Sequence, residues 1–137
     1  MAQPEVLRRK LAQLEEYIVI LERLRRYSLD EFLDDPERYG SAERFLQLAI
    51  ESLLDMGNHV VAELALGEVR AYSDLPRILA EKGHLSPILA EKWVRMIGFR
   101  NILVHEYLAV DRTIVHRVLA QDLSDLRELA AAFAHLL

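Results

Sequence analysis

Leu7, Leu11, Leu14, Ile18 and Leu21 recur at spacings of four and three, with charged residues filling the positions between them. That period places five apolar side chains on one helical stripe, and it predicts a first helix from about Pro4 to Tyr27. Ser28 and Glu31 have the spacing of a capping box and predict a short helical turn over Leu29 to Asp34. Pro36 to Gly40 interrupts the pattern. A second long helix is expected from Ser41 to Leu66, burying Leu46, Ala49, Ile50, Leu53, Val60 and Leu64, with Gly67 as its cap. Gly57, in mid-helix, points to a close helix neighbour, because glycine costs about 1 kcal/mol against alanine there. Ser73 opens a short helix ending near Gly83. Ser86-Pro87 starts a fourth, in which Ile88, Leu89, Trp93, Met96 and Ile97 form the apolar side. Asp111 caps a fifth, lined by Ile114, Val118, Leu126, Leu129 and Phe133. No window alternates with period two for long enough to form a sheet. The expected fold is all-α, an antiparallel bundle of four long helices plus short ones, in a single helical domain over residues 1–137.

Composition narrows the function. The 137 residues contain no cysteine, so thiol catalysis, disulfides and cysteine-based metal sites are excluded. The absence of cysteine fits a cytoplasmic location, and no membrane partner is expected, since no run approaches the ~18 apolar residues of a span. The net charge of −5 is not that of a general nucleic-acid binder. Its acid is concentrated at Asp30, Glu31, Asp34, Asp35, Glu37 and Glu43, whereas around the segment that ends at Tyr107 the balance is more positive, with Lys92, Arg95, Arg100 and Arg112.

Candidate chemistry is concentrated in Gly98-Phe99-Arg100-Asn101-Ile102-Leu103-Val104-His105-Glu106-Tyr107. Asn101 and His105, four apart, share a helix face, about 40° from each other. Arg100 and His105 are separated by about 140°. A long arginine side chain, or a second subunit facing the first across a two-fold axis, closes that gap. An imidazole can take or give a proton near neutral pH. A guanidinium holds phosphate oxygens through its planar fork. These are the groups needed to cut RNA without a metal, with Asn101 orienting the imidazole or donating to phosphate. A salt-bridged arginine and a hydrogen-bonded core histidine are the structural alternative. Tyr107 is expected at or just past the helix end with its hydroxyl exposed. Asp55 and His59, also four apart, are read as a supporting pair near the site, or as a buried hydrogen-bonded pair; no metal site is expected. His84, His116 and His135 are read as surface or structural, and Trp93 and Met96 as core.

The segment Met96 to Tyr107 resembles the HEPN superfamily and, within it, the HepT-type toxins. These carry an arginine, a polar residue, three mostly apolar residues, a histidine and, one residue later, a tyrosine; Arg100, Asn101, Ile102 to Val104, His105 and Tyr107 fill those places. Ile50 to His59 is similar to the family's long second helix, and Tyr72-Ser73-Asp74 to the entry of its third. The proline usual before that tyrosine is absent, with Glu68 to Ala71 in its place. The resemblance implies a homodimeric, metal-independent endoribonuclease with Arg100 and His105 as the catalytic pair and no cofactor. It further implies a minimal nucleotidyltransferase antitoxin that transfers AMP to Tyr107. A non-catalytic nucleotide-binding or nucleotidyltransferase-docking module is the alternative, and a structural adaptor a third. Arg100→Ala is expected to be strongly destabilising for the adaptor but nearly neutral for an exposed active site.

Overall fold

The computed structural model describes residues 4–137, the side chain of Tyr107 excepted. Among the described residues seven α-helices follow one another: α1 (Pro4–Arg25), α2 (Leu29–Leu33), α3 (Pro36–Glu63), α4 (Asp74–Glu81), α5 (Pro87–His105), α6 (Arg112–Gln121) and α7 (Leu123–Ala134). A 3-10 turn, Tyr107–Ala109, links α5 to α6. No strand occurs among the described residues.

Cross-helix contacts fix the directions of the long helices. Lys10 pairs with Asp55 while Tyr17 packs on Phe45, so α1 and α3 run antiparallel. Glu51 pairs with Arg100 while Gly57 packs on Trp93, so α3 and α5 are antiparallel too. The fourth arm is two helices, not one: the last apolar stretch breaks at Asp122, where α6 gives way to α7. One apolar cluster joins these elements. The α1 stripe is fully within it, as the leucine spacing predicts, and Phe32, Trp93 and Phe133 fill the space between helices.

Several local expectations are corrected. α3 begins at Pro36, five residues before Ser41, because proline suits the first helical position and the Asp35 carboxylate accepts from the Glu37 amide at 2.9 Å. The helix continues through Gly40. It stops at Glu63, Leu64 is exposed, and Ala65 rather than Gly67 takes the left-handed backbone, with φ 50°. Ile88 is 69% exposed, since the α5 interface is built from Leu89, Ala90, Trp93, Met96 and Ile97. Val115 replaces Ile114 in the core. The Ser28–Glu31 capping box, the Ser86 and Asp111 caps and the Pro87 restart form as the sequence predicts.

Gly57 has a direct physical reason. A Cβ there would lie 2.9 Å from Trp93 Cη2, and Trp93 is wholly buried. Gly57→Val is therefore expected to lower stability by roughly 1–3 kcal/mol through overpacking. Gly40→Ala, whose Cβ meets nothing within 4 Å, should raise Tm slightly. Thermal melts of the two variants check the contrast; equal melting points would refute the packing argument.

Candidate active site

The last turns of α5 present the motif. Arg100 turns toward α3, where its Nε and Nη2 donate to Glu51 Oε2 at 3.1 and 2.9 Å. Its Nη1 donates to Asn101 Oδ1 at 3.1 Å, and its guanidinium stands over the Tyr72 ring, 5.4 Å from the centroid. The Arg100 side chain is 14% exposed. Three of its N–H donors are engaged, which leaves donors on both Nη atoms for phosphate oxygens. The arginine is thus salt-bridged, as in the structural alternative, while the histidine is not a core residue: a partly buried carboxylate holds the guanidinium at the edge of the surface. Glu51 is the partner of Arg100 that sequence reasoning missed. It lies 49 residues from Arg100, beyond the reach of any local spacing rule.

His105 is exposed and is the last residue of α5. Val94, Gly98, Asn101 and His105 recur at i, i+4, i+7 and i+11 and so share one face of the helix. Gly98, Asn101 and His105 are all exposed. The face expected for Asn101 and His105 is therefore shared and open. Tyr107 opens the 3-10 turn two residues on. The expected exposure of its hydroxyl falls outside the described residues.

Asp55 and His59 do not form the expected pair. Asp55 is exposed and bound by Lys10 of α1 at 3.1 Å, a cross-helix partner that outcompetes the neighbour one turn away. His59 Nε2 is buried without a hydrogen-bond partner among the described residues. No three His, Asp or Glu side chains among the described residues lie close enough to share a metal ion. His116 is structural, as expected: its Nε2 is 2.9 Å from the Tyr27 carbonyl oxygen and its ring packs on Phe32. No described helix is long and apolar enough to cross a membrane.

The local positive charge is also redistributed. Lys92 pairs with Asp125 at 3.1 Å and Arg112 with Glu43 at 3.5 Å, so neither is a free cation beside the motif. The arginines beside it are instead Arg70 and Arg77. They border a groove of about 730 Å³ between the α3–α4 loop, α4 and α5, with Asn101 in its wall. A smaller cavity of about 200 Å³ occupies the opposite face of α5, among Leu46, Ile50, Met96 and Phe99, away from His105.

Comparison with known proteins places the chain among relatives of the same fold. Residues 14–133 match a family model described as Ribonuclease HepT-like. The chain is 30% identical over 111 residues to the tRNA nuclease HepT of Aphanizomenon flos-aquae, covering 80% of this chain and 74% of that one. It is also 30% identical over 83 residues to the mRNA nuclease HepT of Shewanella oneidensis, 61% of this chain and 62% of that one. Among solved structures, the tri-AMPylated Shewanella oneidensis HEPN toxin in complex with MNT antitoxin superposes with a TM-score of 0.88. It is 24% identical and the match covers 98% of this chain and 99% of that one, a likeness of fold.

Proposed function

This chain belongs to the HepT-like ribonuclease family, and on that basis we propose that it is the toxin of a toxin–antitoxin pair, an endoribonuclease that cuts RNA without metal through Arg100 and His105. The observation that carries the reading is the open α5 face ending in His105, flanked by a guanidinium that keeps one unused donor on each Nη atom beyond its bonds to Glu51 and Asn101. In the reaction, the ribose 2′-oxygen attacks the adjacent phosphorus and loses its proton to a base. The P–O5′ bond breaks, and the leaving 5′-oxygen receives a proton from an acid. The products are a 2′,3′-cyclic phosphate and a 5′-hydroxyl. Arg100 holds the non-bridging oxygens as negative charge builds on them. Asn101, fixed through its Oδ1 by Arg100, keeps its amide N–H groups for the phosphate or the imidazole.

His105 can serve as base or acid, and two copies across a homodimer divide the roles. Exposed apolar side chains support a dimer there: Ile102 is 42% exposed and Leu108 88%, one on each side of His105 in sequence. The partner proposed for inhibition is a minimal nucleotidyltransferase that places AMP on Tyr107. The adenylate adds bulk and a negative phosphodiester two residues from His105, where it repels the substrate phosphate.

Purified protein incubated with labelled RNA in excess EDTA tests this. Cleavage to 2′,3′-cyclic phosphate ends is expected. Protein co-expressed with the nucleotidyltransferase should carry AMP mass on Tyr107 and leave the RNA intact. Cleavage abolished by the chelator would refute the metal-free chemistry, and full activity of the modified protein would refute the inhibitory role.

A further inference from the structure

Gly57 is explained by Trp93, but Gly98 has no such neighbour. A Cβ at Gly98 would meet nothing within 4 Å. A glycine in the middle of α5 weakens the helix without any internal packing that requires it. It does, however, line the groove that borders Asn101. A groove wall without a side chain allows another molecule to approach the backbone closely.

The rest of the groove has the chemistry of a nucleotide site. Val94 and Ile97 supply an apolar wall. Tyr72, 44% exposed, offers a ring, and the same ring lies under the Arg100 guanidinium. Arg70 and Arg77 stand at the rim. Their intramolecular partners hold them weakly: Glu68 lies 3.3 Å from Arg70 and Asp74 3.8 Å from Arg77, and both arginines are mostly exposed. Exposed pairs of this kind contribute little and exchange readily for phosphate. The loop carrying Arg70 is pinned, because the Asp74 carboxylate accepts from the Arg70 and Ala71 amides at 2.9 and 3.0 Å. Those two bonds, Arg70's first, hold the Asp74 carboxyl below the usual carboxylate range, so the pin is intact at neutral pH.

We infer that this groove is an RNA subsite flanking the cleavage point, in which a base rests against Tyr72 over Gly98 and the neighbouring phosphate is held by Arg70 and Arg77. The inference deepens the nuclease reading and rests on it for the identity of the ligand. Continuity along α5 is what joins the two: Val94, Gly98, Asn101 and His105 lie on one face, so a strand seated in the groove runs toward the imidazole.

The test pairs cleavage with binding. Substrates are a dinucleotide, which has only the scissile phosphate, and a longer single-stranded oligonucleotide. Binding is read by fluorescence anisotropy on an oligonucleotide with a 2′-deoxy sugar at the cleavage point. In Arg70→Gln/Arg77→Gln, each lost phosphate contact should weaken oligonucleotide binding about fivefold at 0.1 M salt and reduce the salt slope by about 0.7. The KM for the oligonucleotide should rise in parallel, with dinucleotide cleavage unchanged. Gly98→Leu should block the groove, raising the same KM without lowering Tm, because the helix gains a better former. Unchanged binding, salt slope and KM in both variants would overturn the subsite while leaving the nuclease intact. Equal loss on the dinucleotide would also overturn it, since the arginines would then act on the catalytic centre. Failure of the wild-type chain to cut any RNA, with binding still dependent on Arg70, Arg77 and Gly98, would instead refute the nuclease reading and leave the groove as a binding site.

Discussion

His105→Ala is expected to slow RNA cleavage by roughly 10²–10⁴-fold with almost no change in Tm. The size follows from the loss of a proton-transfer group in a reaction where two protons move. The unchanged stability follows from position. His105 is the exposed, final residue of α5, and surface substitutions of that kind usually stay within about 0.5 kcal/mol. The RNA subsite and the Arg100 fork remain, so KM should move little while kcat falls. A mixture of His105→Ala with an otherwise inactive Arg100→Ala chain adds a second check. If the two His105 copies divide the acid and base roles, the mixed dimers keep a single imidazole and activity should stay low; restored activity would show instead that one imidazole and one guanidinium from different copies suffice. Wild-type kcat in His105→Ala would remove the histidine from the mechanism altogether.

How far such a site can be read from sequence depends on the range of the interactions that build it. The leucine stripe of α1, the capping box at Ser28 and the Pro87 restart are set by neighbours within one or two turns, and all three form as expected. The start of α3 was obscured because Pro36 and Gly40 read as breakers. A proline in the first turn starts a helix as well as it ends one, and the Asp35 cap decides between them. The last stretch from Asp111 hides its division at Asp122, because α6 and α7 both keep an apolar period across the break. In the site, residue types alone made Arg100, Asn101 and His105 stand out. The partners of those residues were not legible. Glu51 has no spacing relation to Arg100, and the four-residue spacing of Asp55 and His59 suggests a pair where Lys10 from another helix holds Asp55 instead. The groove is a product of the α3–α4 loop folding against α5, so Arg70 and Arg77 carried no local signal at all.

Arg100→Ala is expected to lower kcat/KM by roughly 10²–10³-fold, the usual loss when one preorganised donor to a developing phosphate charge is removed. Unlike His105→Ala, it should also lower stability. The guanidinium is partly buried and Glu51 is only 29% exposed, so truncation removes the charged partner and two hydrogen bonds of a carboxylate that keeps only the Gln47 amide, 3.1 Å from its Oε2. Such a loss costs about 1–3 kcal/mol. A melting shift in this variant therefore cannot by itself separate a structural arginine from a catalytic one. The double variant Glu51→Ala/Arg100→Ala separates them, because removing both partners leaves no unpaired charge, only the Gln47 amide without its acceptor, and should recover much of the lost Tm. If Arg100 is the phosphate holder, cleavage stays as low in the double variant as in Arg100→Ala. If the ion pair serves only to hold α3 against α5, activity returns together with stability. Arg100→Lys sharpens the distinction. An ammonium can satisfy Glu51, but it lacks the planar fork that reaches Glu51, Asn101 and a phosphate at once, so Tm should be largely kept while cleavage is not. Near wild-type turnover in Arg100→Lys or in the double variant would show that the guanidinium takes no part in the chemistry.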